Sequence, residues 1–378
     1  MYKIMTAGPS QVRENVRVAR ALETTNPDID ETFVEYYKSL CDKLQTLLHS
    51  SGTAYILDGE GILGLEAACA TLTEEGDRVL VLDNGVFGKG FADFVSIYGG
   101  DPVLFSSDYR KPIDTDDLRE FLEKDSGFKY ATVVHCDTPS GMLNPIEKIC
   151  PLLAEYGILT VVDAVASMFG MPINIDESKI DILCGGSQKA LSAPPGLSML
   201  WISDKAMDTM LSRKTPVASF YANLLTFRSY YEDKWFPYTM PISDINGLGV
   251  AIDNVIADPG IMERHAAVAK ATRNAVKKAG MSTYVEGTHS NTVTVIEVPE
   301  GTTDKAILKH LKEKFGIMIS PSFDVFAGRL IRIGHMGESA NPQDVRQTLA
   351  ALDDAFETEG VSLKCSLAKA FDEEFRCL

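Results

Sequence analysis

Between Thr53 and Asp204, short apolar runs alternate with segments whose apolar positions recur at helical spacing. The apolar runs predict strands at Ala54–Leu57, Arg78–Asp83, Pro102–Ser106, Tyr130–Cys136, Ile158–Asp163, Ile180–Cys184 and Leu197–Ile202. Helices are predicted between most of them, at Leu63–Thr73, Lys89–Tyr98, Asp116–Lys124 and Ile146–Tyr156. Strands this rich in Val, Ile and Leu belong to a sheet covered on both faces, so the pattern predicts an α/β unit with a mostly parallel sheet. Such sheets bind ligands at the carboxyl ends of their strands. Asp83-Asn-Gly-Val-Phe87, Cys136-Asp-Thr-Pro-Ser140, Asp163 and Lys189 fall at those ends.

Beyond Pro241 the pattern changes. A long helical stretch (Ser243–Lys278) leads to a half-buried strand at Thr292–Val298, a helix at Thr303–Phe315, short strands at Gly316–Ser320 and Arg329–Gly334, and a helix opened by Asn341-Pro342. This reads as a second, smaller α+β unit. A chain of 378 residues has room for roughly two domains.

A net charge of −17 repels phosphates, so neither nucleic acid nor an anionic membrane is an expected partner. Seven scattered cysteines without a CxxC pair read as reduced thiols of a cytoplasmic protein. The N-terminal residues carry no signal-peptide pattern, and no apolar run reaches membrane-spanning length.

Candidate chemistry centres on Asp181-Ile-Leu-Cys-Gly-Gly-Ser-Gln-Lys-Ala-Leu-Ser-Ala-Pro-Pro-Gly196. Gly185 and Gly186 allow close backbone approach, and Pro194 and Pro195 fix the exit of the bend. Lys189 is displayed on that rigid bend in apolar surroundings. Burial lowers an ammonium's pKa, as an amine nucleophile or Schiff-base former requires. A surface-loop lysine is the plainer alternative. Gly59-Glu-Gly-Ile-Leu-Gly64 matches a dinucleotide fingerprint with Asp83 ending the next strand. The strands that usually precede such a turn are missing, and a helix-start loop for another cofactor is the better reading. Asp163 either caps its loop or pairs with a heteroaromatic nitrogen, keeping it protonated and the ring an electron sink. Phe87 would stack on such a ring or fill the core. Arg332, in a short apolar strand, makes a structural ion pair or takes a substrate carboxylate on its fork.

Together these residues resemble the Schiff-base lysine, ring-pairing aspartate, stacking aromatic and small-domain arginine of class V, fold-type I pyridoxal-phosphate (PLP) aminotransferases. The likeness runs from Ala7-Gly-Pro-Ser10 to Arg332-Ile-Gly-His-Met-Gly337, and Ser187–Gly196 is similar to the lysine segment of alanine–glyoxylate aminotransferases. The resemblance implies a large domain (residues 16–245) with a mostly parallel seven-stranded sheet, and a smaller α+β domain (1–15 and 246–378). It implies transfer of an amino group from a small amino acid to a 2-oxo acid such as pyruvate or glyoxylate, with Lys189 moving the proton between Cα and C4′. Asp163 would bind the pyridine nitrogen, Phe87 stack on the ring, and Thr138 hydrogen-bond near O3′. Glu60, Gly61, Ile62 and Gln188 would contact the cofactor, and Gly8 and Arg332 the substrate. Thr239 matches a phosphate contact from a partner subunit, which implies a homodimer with shared active sites.

Other motifs, including Gly59–Ala68, Gly85–Phe91 and Ile333–Gly337, look like pyridoxamine–pyruvate aminotransferases, which use unphosphorylated pyridoxamine and pyridoxal as substrates. Those enzymes carry a glutamate where PLP enzymes place a small phosphate-binding residue, and Glu60 occupies that position. A carboxylate ~4 Å from a phosphate charge costs about 4 kcal/mol per unit-charge pair at an effective dielectric of 20. Glu60 must therefore turn away, be protonated, be offset by a cation, or face no phosphate. Against this reading, Ser187-Gln188 is of the phosphate-enzyme type, and an arginine of the pyridoxamine enzymes is replaced near Phe323, with Arg329 close by. The alternative from another class is a non-catalytic PLP-fold binding protein.

Overall fold

The computed structural model describes residues 2–377. Its central sheet has seven strands: β1 (Thr53–Asp58), β2 (Arg78–Asp83), β3 (Asp101–Ser106), β4 (Tyr130–Val134), β5 (Leu159–Asp163), β6 (Ile182–Gly186) and β7 (Leu197–Ile202). They lie in the order β1-β7-β6-β5-β4-β2-β3. All neighbouring pairs are parallel except the two made by β7. The reversal follows from the β6–β7 connection, which has no crossover helix and so can join only antiparallel neighbours. Every residue of β4 to β7 is buried, as a sheet covered on both faces requires.

The helices between these strands span Gly61–Leu72, Val86–Ile97, Thr115–Lys124 and Ile146–Glu155. Helices Glu14–Arg20, Glu31–Leu47, Asp204–Leu211 and Leu367–Arg376 were not among the expected elements. The strand expected at Ile180–Cys184 is shifted to include both glycines. A Cβ on Gly185 would meet Met168 Sδ at 2.6 Å, so its absence permits the packing there. The stretch expected as one helix from Ser243 to Lys278 is two, Ile242–Ile256 and Ile261–Lys278. Pro259 causes the break, because it lacks an N–H and biases Asp258 away from helical angles. The helix expected to Phe315 is α-helical only from Asp304 to His310 and finishes in a π turn, closed by Gly316 at φ 67°.

A second sheet is formed by β8 (Val293–Glu297), β9 (Ser320–Pro321) and β10 (Leu330–Gly334), with β10 in the middle. Alternation along β10 sends Ile331 and Ile333 into a core made with helices Ile261–Lys278, Pro342–Thr358 and Leu367–Arg376. Arg332 therefore faces the other way. Near the N-terminus, Lys3–Ile4 pairs with Ile317–Met318, and the following residues run between this sheet and the Lys189 bend.

Candidate active site

Register brings the site together. Val134, Asp163 and Cys184 lie side by side across β4, β5 and β6, and Asp58 ends β1 opposite Leu197. The residues at or just past these strand ends thus converge: Cys136, Thr138, Asp163, Lys189 and Glu60. They enclose a cavity of about 140 Å³ that Ile62, Leu65, Phe87, Val165 and Ala166 also line.

Lys189 lies in a turn pinned by its neighbours. Ser187 Oγ donates to the Pro194 carbonyl (2.6 Å), and Ser10 Oγ donates to the carbonyl of Lys189 itself (2.6 Å). Its Nζ donates to the Ala7 carbonyl (2.8 Å). Gly8 sits against it at φ 110°, and a Cβ there would come within 2.2 Å of Nζ. Burial lowers the Lys189 pKa most; Arg332 lowers it too, while Cys136, Asp163 and Glu60 oppose the shift. Asp163 is pushed up to about 7, chiefly by burial. Its carboxylate accepts one side-chain hydrogen bond among the described residues, from the Val165 N–H (2.9 Å). A buried carboxylate so poorly matched is suited to a cationic N–H partner.

Glu60 is the N-cap of helix Gly61–Leu72. Its Oε2 accepts from the Ile62 N–H (3.0 Å), and its Oε1 accepts from Gln188 Nε2. The helix N-terminus, a natural anion site, thus already holds a carboxylate. Gly61 packs against Val165, where a Cβ would meet the side chain at 3.0 Å. Gln188 Oε1 is buried without a partner among the described residues. Thr138 is buried on the cavity wall.

Arg332 is 8% exposed, and its Nε donates to the Pro321 carbonyl (2.8 Å). Among the described residues no carboxylate lies within ion-pairing distance of it. Burial brings its pKa down to about 10, and Asp137 counteracts this from farther off. Thr239 stands apart: it is exposed, does not line the cavity, and donates to Asp28 (2.8 Å). Asp83, the ribose-binding acid of the dinucleotide reading, instead accepts from Ser106 Oγ (2.9 Å) and Tyr109 Oη (2.6 Å).

Two contributors were not singled out from the sequence. Asp137 is buried and accepts from the Phe87 N–H (3.1 Å) and Ser140 Oγ (2.8 Å), so it fixes the start of the Phe87 helix. The turn Asp137-Thr-Pro-Ser-Gly141 carries a signal for such a side-chain-to-backbone contact. The Ala7 carbonyl could not be found that way, because backbone contacts leave no residue-type signal.

Residues 67–321 match the family described as aminotransferase class-V. This chain belongs to the class V aminotransferases. The class V chain is 36% identical to the pyridoxamine–pyruvate transaminase of Mesorhizobium japonicum, over 95% of this chain and 92% of the relative. It is 28% identical to the alanine–glyoxylate aminotransferase of Callithrix jacchus, over 94% and 87%. Among solved structures, pyridoxamine–pyruvate aminotransferase from Mesorhizobium loti superposes with a TM-score of 0.94 at 33% identity, over 99% of this chain and 97% of that one. The class V aminotransferases are pyridoxal-dependent transaminases, and the fold is that of PLP fold-type I. No helix among the described residues is long and apolar enough to cross a membrane.

Proposed function

We propose that this class V enzyme exchanges an amino group between a small amino acid and a 2-oxo acid such as pyruvate or glyoxylate, the acceptors for which its relatives are named. The observation that carries the reading is the cavity that joins the Lys189 amine, the poorly partnered Asp163 and the Phe87 ring. These residues fit a pyridoxal ring. When bound, the ring supplies an electron sink for the bond broken at the substrate's Cα. Asp163 would hold the ring nitrogen protonated, Phe87 would cover a ring face, and Thr138 would offer its hydroxyl at the ring edge. Gly61, Ile62 and Gln188 would line the end of the cofactor nearest the helix. Lys189 Nζ, its pKa lowered by burial, is the base that takes a proton from Cα and returns it. With no carboxylate within ion-pairing distance of it among the described residues, Arg332 suits a substrate carboxylate on its fork, and Gly8 leaves room above Nζ.

Glu60 favours a second reading within the same chemistry, in which pyridoxal and pyridoxamine serve without a phosphate. Its carboxylate caps the helix where a phosphate would dock and holds Gln188 as well. We further propose a homodimer in which Thr239 serves the partner's site. The support is its distance from its own cavity and the exposed aromatics Phe220, Tyr221 and Trp235 in the same region. Seven free cysteines, five of them buried, favour the reducing cytoplasm.

The test is to add PLP, and separately pyridoxal, to the purified chain and to its Lys189→Ala variant. The wild type should gain a visible absorbance band that alanine discharges, and the variant should gain none. A wild type that develops no band with either vitamer refutes the reading.

A further inference from the structure

The site described so far has a cation for one carboxylate but leaves open what the rest of the substrate meets. Phe323 lies between β9 and β10, just after Ser322. Ser322 anchors it twice: its N–H donates to the Leu330 carbonyl (3.1 Å), and its Oγ donates to the Pro139 carbonyl (2.9 Å). Asp324 then turns the chain back at φ 54°, and the Phe326 N–H closes the turn on the Phe323 carbonyl (3.1 Å). The segment is thus stapled to the same turn that carries Asp137 and Thr138.

From this position the Phe323 ring bridges two parts of the site. It meets Phe87 edge-to-face, with centroids 5.9 Å apart and planes at 74°, and the Arg332 guanidinium carbon lies 5.4 Å from its centroid. The ring is 41% exposed, so it stands at the solvent side of the two groups it joins. Among the described residues, the cavity lining and the contacts of this ring include no cation besides Lys189 and Arg332. Asp137, Asp163 and Glu60 already make the surroundings acidic.

We infer that Phe323 is a specificity-determining residue that restricts the enzyme to monocarboxylic amino and 2-oxo acids with short, uncharged side chains. The inference rests on the transaminase reading and on Arg332 as holder of the α-carboxylate. With that carboxylate on Arg332, a side chain pointing outward runs along the phenyl ring. The ring offers no hydrogen-bond donor, so a second carboxylate there would lose water without gaining a partner. A long apolar side chain would have to displace the ring from its place between Phe87 and Arg332, where the anchored Ser322 and the turn at Asp324 hold it. Arg332 also gains from the arrangement, since a cation over an aromatic face keeps its fork in place.

The test compares rates of the pyridoxamine-loaded enzyme with pyruvate, 2-oxoglutarate and 4-methyl-2-oxopentanoate, for wild type, Phe323→Arg and Phe323→Ala. Wild type should prefer pyruvate over both longer acids. Phe323→Arg should narrow the preference over 2-oxoglutarate by about tenfold or more, as one charge-assisted hydrogen bond allows. Phe323→Ala should narrow the preference over 4-methyl-2-oxopentanoate by about tenfold, the scale of added methylenes in an apolar pocket. The dissociation constants of the non-reacting acids propionate and glutarate should shift in the same sense. A wild type that prefers 2-oxoglutarate overturns the inference. So do variants with wild-type circular dichroism and vitamer binding but unchanged ratios; a wild type that reacts with no acceptor at all overturns the transaminase reading, and this inference with it.

Discussion

Replacing Glu60 by serine tests whether this site accepts a phosphate. Serine is chosen because it also caps helices well, so helix Gly61–Leu72 should lose only a few tenths of a kcal/mol while the charge disappears. The magnitude follows from where the carboxylate sits. A phosphate docked at that helix start would share the first turn with Glu60, which already accepts the Ile62 N–H at 3.0 Å. At ~4 Å, each unit-charge pair repels by about 4 kcal/mol at an effective dielectric of 20 and about 1 kcal/mol at that of water. Glu60 is open to solvent in the single chain, which places the effect between these limits. Glu60→Ser should therefore tighten PLP binding by between about fivefold and about a thousandfold. Pyridoxal, lacking the charge, should change by no more than about threefold, the scale of the cap difference. The assay is spectrophotometric titration of the vitamer-free protein with each ligand. Because the separation is shorter than the ~8 Å screening length of physiological salt, the effect should persist in ordinary buffer. Equal changes for the two vitamers, or none for PLP, would refute the argument that the carboxylate opposes phosphate.

Asp163 makes stability depend on pH in the vitamer-free protein. Its folded pKa of about 7 lies above that of the free side chain, so the folded state binds the extra proton in between. Stability from this group is full below about pH 4 and is lost as pH rises to about 7, by up to about 4 kcal/mol. Asp163→Asn should remove that loss, so denaturant midpoints at pH 5 and pH 8 should differ less than in the wild type; parallel profiles would contradict the assignment. Arg332→Lys keeps the charge but not the fork, and should raise KM for the 2-oxo acid about tenfold with vitamer affinity unchanged. An unaltered KM would place the substrate carboxylate elsewhere.

Hydrophobic patterning alone defined the seven strands of the central sheet, because buried β-strands are short apolar runs between punctuating glycines and polar turns. It also placed Asp163, Phe87, Thr138 and Lys189 near strand ends, where α/β sheets bind ligands. The shift of β6 to include Gly185 and Gly186, and the split at Pro259, depended on neighbours the linear pattern does not contain. The resemblance in the Lys189 and Arg332 segments supplied roles for these residues that periodicity could not.

Tertiary structure decided the rest. The order β1-β7-β6-β5-β4-β2-β3 arises from pairings between residues distant along the chain, and only that order brings Glu60 beside Gln188. The same is true of the Ala7 carbonyl on Lys189, of Asp137 beneath Phe87, and of Phe323 between Phe87 and Arg332. Residue type and spacing determine which groups are available and which face of an element they occupy. Which groups meet is set by packing whole elements against one another, and the depressed pKa of Lys189 and the raised pKa of Asp163 exist only once that packing has removed water from both.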